Sequence, residues 1–221
     1  LFNFPSNPTG GTLNEQQRDD LLAFAAKHDL WIISDEVYDR IVFETEHVSF
    51  MGTGYDKLMV VNSFSKTFAM TGWRIGYIVS TNLEAMKQVV KIQYYISACS
   101  NDAMQYAVLE AMEKANDYPS MMATEFQKRC KLIVDRLNAM PGVQCHQPKG
   151  SIYVFPKVDV PGMSSEDVAL ELLKDGVLCS PGSAFGPSGE GHLRFAFTIG
   201  QDDIVRGMDK VEATLTRLQQ G

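Results

Sequence analysis

Short, continuous apolar runs alternate with amphipathic stretches over the first part of the chain. The runs are LFNF, LWIIS and LMVVN, at residues 1–4, 30–34 and 58–62. Runs of this length are typical of strands that are covered on both faces. Residues 16–29 follow helical spacing, and Thr12 with Glu15 has the pattern of a capping box ahead of them. The order strand, helix, strand predicts a parallel pair of strands.

The third apolar run is followed by a predicted change of direction. Only a few residues separate it from the next apolar stretch, WRIGYIVS at residues 73–80. A parallel crossover needs about a dozen residues or more, so the strand at 73–80 is predicted to run antiparallel to its predecessor. The predicted fold class is therefore α/β, with a mostly parallel sheet that contains one antiparallel strand.

The pattern changes beyond residue 82. Apolar residues recur there at helical spacing, and the last helix of this stretch is predicted to end at Pro141 and Gly142. Short strands and further helices follow, with strands predicted at 143–146, 152–158, 177–180 and 192–198 and helices at 164–175 and 202–219. We therefore predict two domains, one over residues 1–115 and a smaller α+β domain over residues 116–221.

Composition and charge narrow the choice of partners. The 221-residue chain carries a formal net charge of −7, which argues against a nucleic-acid or anionic-membrane binder and favours small-molecule partners. The four cysteines lie far apart, without a CxxC pair or a cluster with histidine. This spacing predicts reduced thiols of a cytoplasmic protein rather than a disulfide scaffold or a metal site. No apolar run approaches the ~18 residues of a membrane span.

Polar residues follow the predicted strands at positions that suit a ligand site. Asn7, Asp35 and Lys66 each come just after a predicted parallel strand, and Arg74 opens the reversed strand. These four residues are therefore expected to gather along one edge of the sheet. Open α/β sheets bind ligands outside the carboxyl ends of their strands.

The residue types around Lys66 suggest which ligand would bind. Ser63, Ser65 and Arg74 offer two hydroxyls and a planar guanidinium, which suit a phosphate dianion. A phosphate group beside an amine suggests pyridoxal 5'-phosphate, whose aldehyde a lysine can hold as a Schiff base. Taken alone, Lys66 would be an ordinary surface lysine.

The same cofactor needs partners for its ring. An ionised carboxylate should face the ring nitrogen, and Asp35 is suitably placed for this. Tyr38 and Asn7 could donate to the 3'-oxygen. Each residue also has a plainer interpretation: Asp35 could cap a helix, Tyr38 could be a half-buried aromatic, and Asn7 could be a turn residue.

Four motifs in this order resemble a known family. SNPTG, SDEVY, SFSK followed by GWRIGY, and HLRFAF are similar in sequence and spacing to the class I/II pyridoxal-phosphate-dependent aminotransferases of fold type I. The resemblance implies that Lys66 is the Schiff-base lysine and proton shuttle, and that Asp35 is the partner of the pyridine nitrogen. It implies also that Tyr38 and Asn7 donate to the 3'-oxygen. The phosphate binders would be Ser63, Ser65 and Arg74.

The resemblance also implies a substrate site. Arg194 is similar to the residue that binds the α-carboxylate of amino acids and 2-oxo acids, and the resemblance implies Asn7 as the other substrate-binding residue. The strand pattern agrees, because His192, Arg194 and Ala196 alternate with apolar residues that should face the core. A lone strand arginine would otherwise be an ordinary surface or ion-paired residue.

The match covers essentially the whole chain but only about the last half to three-fifths of the family's sequences. We therefore expect a C-terminal fragment, with residues 1–115 as part of the large cofactor-binding domain, inactive alone and with apolar surface left uncovered. The intact protein would be a cytoplasmic homodimer.

Several alternatives remain within and outside this fold. A C–S lyase, a decarboxylase or a synthase would keep nearly the same cofactor residues, and a non-catalytic effector domain could keep the fold. A domain that keeps the motifs without binding cofactor is a further alternative. The segment from Ser63 to Lys66 also matches the S-x-x-K motif of β-lactamase-like enzymes, but the accompanying SDN and KTG motifs do not occur.

Overall fold

The computed structural model describes residues 1–44 and 46–220. The chain forms two compact units. The first comprises Leu1–Ser6 and Gly11–Ala123, and the second comprises Asn7–Gly10 and the residues from Thr124 onward. The short insertion at Asn7 therefore belongs to a different unit from the residues on either side of it.

The first unit contains a four-stranded sheet. Its strands are β1 (Phe2–Asn3), β2 (Ile32–Asp35), β3 (Leu58–Ser63) and β4 (Gly76–Val79), in that spatial order. The pairs β1–β2 and β2–β3 are parallel, and β3–β4 is antiparallel. The predicted sheet, mostly parallel with one reversed strand, is therefore confirmed.

The reversed strand begins later than the sequence predicts. Thr71–Trp73 forms a short 3-10 turn, and Arg74 adopts a left-handed backbone with φ of 58°. Arg74 therefore precedes β4 and does not open it. The strand starts at Gly76, which pairs with Ser63. A Cβ at Gly76 would lie 2.6 Å from the Asn62 carbonyl oxygen, so this close pairing requires glycine.

Four helices complete the first unit, and a fifth continues into the second. They are α1 (Glu15–Lys27), α2 (Phe64–Thr67), α3 (Leu83–Ser97), α4 (Asp102–Lys114) and α5 (Tyr118–Asn138). The capping box of α1 is formed by Asn14 and Gln17, whose side chains and backbone amides pair reciprocally. The predicted pair of Thr12 and Glu15 is wrong, because the helix begins at Glu15 and its cap is the residue just before it.

The core of the first unit lies between α1 and one face of the sheet. It is built from Ala25, Ile32, Phe50, Leu58 and Val60. The opposite face is not covered by the described residues: Ile33 is 40% exposed, and all four residues of β4 are exposed. The expectation that these strands are covered on both faces is therefore wrong for the described chain, whereas the expectation of uncovered apolar surface is confirmed.

The second unit combines short antiparallel strands with helices. Its strands are β5 (Val143–Gln144), β6 (Tyr153–Val154), β7 (Lys157–Val158), β8 (Ser180–Pro181) and β9 (Leu193–Ala196). They form a β5–β7 pair and a sheet in the order β6–β9–β8. Two helices, α6 (Ser165–Lys174) and α7 (Gln201–Gln220), pack against each other, and α5 is joined to α7 by salt bridges from Arg136 to Asp209 and Glu212. Leu137, Leu172, Phe197 and Val211 lie in its core.

The described residues contain neither a membrane-spanning helix nor a cluster of metal-binding side chains. None of the described helices has the length and apolarity needed to cross a membrane. Within the same residues, no group of three or more His, Cys, Asp or Glu side chains is arranged to hold a metal ion.

Candidate active site

Lys66 lies on a single helical turn that follows β3. Ser63 ends the strand and caps the turn, because its Oγ accepts a hydrogen bond from the Ser65 amide at 3.1 Å. The same Oγ lies 2.9 Å from Ser65 Oγ and 3.0 Å from the Ile75 carbonyl oxygen. The two predicted hydroxyls therefore do lie together, immediately before the lysine.

The Lys66 amine is half-buried and has no acidic neighbour bonded to it. Its Nζ lies 6.0 Å from the centroid of the Tyr38 ring, a cation–π distance. Across residues 1–44 and 46–220, Nζ makes no hydrogen bond or ion pair. Tyr38 is 4% exposed, so its ring is a fixed wall beside the amine. A half-buried amine without a counter-ion remains available for chemistry.

Asp35 ends β2 and is followed by a turn. Its Oδ1 accepts a hydrogen bond from the Val37 amide at 3.2 Å, and residues 37–40 form a turn. The alternative in which Asp35 caps a helix is therefore wrong, because no helix begins there. Its second carboxylate oxygen has no hydrogen-bond partner in the part of the chain that the structure describes.

The next residue, Glu36, anchors the backbone segment that carries Asp35 and Tyr38. Its carboxylate is 3% exposed and accepts hydrogen bonds from Ser34 Oγ and the Phe50 amide, both at 3.0 Å. The His47 Nε2 atom lies 2.8 Å from Glu36 Oε2. Burial opposes ionisation of this carboxyl, but the hydrogen bonds outweigh it and lower the pKa of Glu36. Sequence reasoning did not find this network.

Arg74, the third predicted phosphate binder, is exposed. Its guanidinium NH1 donates to the Thr71 carbonyl oxygen at 3.0 Å, within the same short turn. Asp35, Tyr38, Ser63, Ser65, Lys66 and Arg74 all belong to the first unit.

Arg194 and Asn7 belong to the second unit and contact each other. Arg194 lies on β9, where Leu193 and Phe195 on either side of it are buried, as the strand pattern predicts. Its NH1 donates to Asn7 Oδ1 at 2.8 Å, and its NH2 donates to Ser180 Oγ at 3.0 Å. The two residues that the resemblance assigns to the substrate therefore contact each other, although 187 positions separate them.

Two aromatic rings also contact the Arg194 guanidinium. Its Cζ lies 4.3 Å from the centroid of the Tyr153 ring and 4.9 Å from that of Phe185. None of the described carboxylates forms a salt bridge with Arg194. Its charge is met by neutral oxygens and ring faces, so an added carboxylate would be attracted without displacing an existing ion pair.

Sequence reasoning missed Ser180, Tyr153 and Phe185. The signal for Ser180 lies in strand pairing, because β8 and β9 are antiparallel with Ser180 opposite Arg194. The rings of Tyr153 and Phe185 come from β6 and from a 3-10 turn after β8. No local motif in the sequence indicates that these segments meet.

Comparison with known proteins identifies the family. The family model described as aminotransferase class I and II matches residues 1–211. The aspartate aminotransferase of Pyrococcus horikoshii is 35% identical over 219 residues, which cover 97% of this chain and 56% of that protein. The aspartate aminotransferase of Thermotoga maritima is 38% identical over 214 residues, covering 96% of this chain and 54% of that protein.

A solved structure gives the same result. The aromatic aminotransferase from Pyrococcus horikoshii OT3 superposes with a TM-score of 0.92 at 35% identity, covering 98% of this chain and 59% of that one. The chain belongs to the class I and II aminotransferase family, which depends on pyridoxal phosphate, and it has the α/β architecture of fold type I. It spans little more than half the length of these relatives.

Proposed function

We propose that this chain contributes the cofactor-binding and carboxylate-binding residues of a pyridoxal-phosphate-dependent aminotransferase. The reaction would move an amino group between an amino acid and a 2-oxo acid. The observation that carries the proposal is the Lys66 amine, half-buried beside the Tyr38 ring and without a hydrogen bond or ion pair among the described residues.

The donor set of the first unit fits the cofactor group by group. Lys66 offers a primary amine for the aldehyde, and Asp35 offers a carboxylate for the pyridinium nitrogen. The hydroxyls of Ser63 and Ser65, 2.9 Å apart, suit the phosphate together with the exposed guanidinium of Arg74. Tyr38 would donate to the 3'-oxygen, a role that the family resemblance gives also to Asn7 of the second unit. When bound, pyridoxal phosphate supplies a ring that accepts negative charge from the α-carbon.

The chain's own residues would then act on the substrate in distinct ways. Lys66 Nζ would carry a proton to and from the α-carbon, since an amine without a salt bridge can serve as base and then as acid. Arg194 would bind the α-carboxylate and orient the substrate. Asn7 and Ser180 support this role, because they hold the guanidinium with neutral acceptors at 2.8 and 3.0 Å.

The proposal extends to the whole protein. We infer that the first unit is part of the large cofactor-binding domain and that the second is the small C-terminal domain. The intact protein is still predicted to be a homodimer and to be located in the cytoplasm. A C–S lyase or synthase of the same fold is the alternative that these residues equally support, because such an enzyme needs the same cofactor contacts.

Trapping of the cofactor tests the proposal on the chain itself. The protein is incubated with pyridoxal phosphate, reduced with borohydride and digested, and the modified lysine is located by peptide mass. We expect the label on Lys66 and its loss in Lys66→Ala. Lys91→Ala, which removes an exposed lysine of α3, is the matched control and should keep the label.

A second assay, made with the full-length protein, separates the reaction classes. An amino acid is supplied with and without a 2-oxo acid acceptor, and formation of the second amino acid is followed. Transfer that requires the acceptor supports an aminotransferase, whereas keto acid released without an acceptor supports a lyase. In the borohydride experiment, a pyridoxal label spread evenly over surface lysines would contradict the assignment of Lys66 as the cofactor-binding lysine.

A further inference from the structure

A cavity of about 230 Å³ lies beside α2 in the first unit. Its aromatic wall is formed by Phe64, Phe68 and Tyr77. The Phe64 ring centroid lies 5.4 Å from that of Tyr77 and 6.3 Å from that of Phe68, so the three rings form one continuous surface. The side chain of Met112 on α4 also lines the cavity.

One residue that lines this cavity has a buried carboxylate oxygen without a hydrogen-bond partner among the described residues. Asp39 lines it, and Asp39 Oδ1 is the buried side-chain polar atom for which the described residues provide no hydrogen bond. Burial raises the pKa of Asp39, and the charges of His47 and Arg40, with hydrogen bonds from the Asn62 side chain and the Arg40 backbone, offset only part of that effect. A buried polar atom left unsatisfied costs free energy, so its presence calls for a ligand or a water.

The neighbouring residue provides the opposite charge. Arg40 also lines the cavity and is exposed. Its guanidinium has no hydrogen bond or ion pair with the residues of the described ranges. The cavity therefore offers a carboxylate and a guanidinium from consecutive residues, next to an apolar, aromatic wall.

We infer that this cavity binds a free α-amino acid as its zwitterion. The ammonium group would pair with the Asp39 carboxylate and contact the aromatic rings, which attract cations. The carboxylate would pair with Arg40, and an apolar side chain would pack on Phe64, Phe68 and Met112. A simple cation would leave Arg40 unpaired, and a simple anion would leave Asp39 unpaired, so a zwitterion satisfies both groups.

This site is separate from the residues assigned to the cofactor and the substrate carboxylate. It lies against α2, the turn that carries Lys66, through Phe64 and Thr67. An amino acid bound there would contact the same turn as the proposed cofactor lysine without using that lysine.

Methionine-methyl NMR tests the inference at the cavity itself. The chain is labelled with ¹³C at its methionine methyl groups and titrated with leucine. The methyl chemical shift of Met112 is compared with that of Met208 in the second unit. Leucine should shift Met112 and leave Met208 unchanged. Leucinamide lacks the carboxylate, and 4-methyl-2-oxopentanoate lacks the ammonium, so both should bind more weakly than leucine.

Variants assign each charge to its partner. Asp39→Asn should weaken leucine and leucinamide binding roughly tenfold to a hundredfold, whereas Arg40→Gln should weaken leucine only. Glu113→Gln, which removes an exposed carboxylate of α4, is the control and should change neither. Arg194→Ala should leave the Met112 response intact, so that failure of the proposed aminotransferase function is distinguished from failure of this site.

Two outcomes would overturn the inference. The absence of a Met112 response to leucine in the folded chain would mean that Asp39 Oδ1 is satisfied by water alone. Equal loss of leucine and leucinamide binding in Arg40→Gln would show that Arg40 does not hold the carboxylate.

Discussion

The two charged side chains at the centre of the proposed chemistry stand in contrasting surroundings. Arg194, in the second unit, has two neutral hydrogen-bond partners and two aromatic rings around its guanidinium. Lys66, in the first unit, has one ring at 6.0 Å and no hydrogen bond among the described residues. Arg194 is therefore held in one position before a ligand binds, whereas Lys66 keeps the freedom that a covalent and proton-transferring role requires.

The same contrast recurs between two carboxylates of the first unit. Glu36 is paired with His47, Ser34 and the Phe50 amide, whereas Asp39, three positions on, has a buried oxygen without a partner. Burial disfavours ionisation of both side chains, and only Glu36 has hydrogen bonds that outweigh it. The full pairing of Glu36 indicates a structural role, whereas the unsatisfied oxygen of Asp39 marks a carboxylate whose hydrogen bonding is incomplete within the described residues.

The largest expected effect is the loss of carboxylate binding in Arg194→Ala. Removing the guanidinium leaves the carboxylate without its cation and leaves Asn7 and Ser180 without their donor, which should cost about 3 kcal/mol, or roughly a hundredfold in affinity. Calorimetric titration of the chain with a 2-oxo acid would measure this. Arg206→Ala, at an exposed position on α7, should retain the affinity. Equal affinities in wild type and Arg194→Ala would contradict the assignment.

The next effect concerns stability. Glu36→Gln should lower the free energy of unfolding by about 2 kcal/mol, because a buried charge-assisted network loses its acceptor. Urea unfolding would measure the change, with Glu44→Gln at an exposed position as control.

The pH dependence of unfolding sharpens this prediction. The pKa of Glu36 is lowered in the folded state from its ordinary value of 4.5. The stability it contributes is therefore fully present above that value and is lost as pH falls through the folded pKa. Wild type should lose more stability than Glu36→Gln as the pH falls below 4.5. Parallel pH profiles would mean that Glu36 is not held as its anion.

A smaller effect is expected at Ser180. Ser180→Ala removes one neutral acceptor from the guanidinium but leaves Asn7 and both rings, so carboxylate binding should weaken by about 1 kcal/mol, or roughly fivefold. Ser183→Ala, which removes a hydroxyl from the following turn, should change the affinity little. A loss as large as that of Arg194→Ala would show that Ser180 contacts the ligand directly.

The sequence predicted the parts of the molecule that depend on local pattern. Apolar runs located β2 and β3, loop length gave the antiparallel direction of β4, and alternation along β9 placed Leu193 and Phe195 in the core. The family motifs assigned Asn7 and Arg194 to the same ligand, and the two side chains are hydrogen-bonded. Such features depend on neighbouring residues or on a known motif, so one sequence is enough to recognise them.

The features that sequence reasoning missed depend on contacts between distant segments. Ser180 and Phe185 reach Arg194 through strand pairing and a turn, and the Glu36 network requires the loop that carries His47. The helix cap was misplaced by two residues, because T-x-x-E and the Asn14–Gln17 pair overlap in sequence and only backbone geometry distinguishes them. Exposure of β4 depends on what packs against it, which its own residues do not encode.

The smallest expected effect has the opposite sign. Asp39→Asn should raise the free energy of unfolding at neutral pH by about 0.5–1 kcal/mol, because an amide has no buried charge to desolvate. The pKa of Asp39 is raised from its ordinary value of 3.8. The cost of its charge is therefore absent below 3.8 and grows as pH rises through the folded pKa. Urea unfolding near pH 7 and near pH 3.5 would show a gain at the higher pH only. A stability loss at neutral pH would mean that the hydrogen bonds of Asp39 outweigh the cost of burying its charge, and the contrast with Glu36 would then fail.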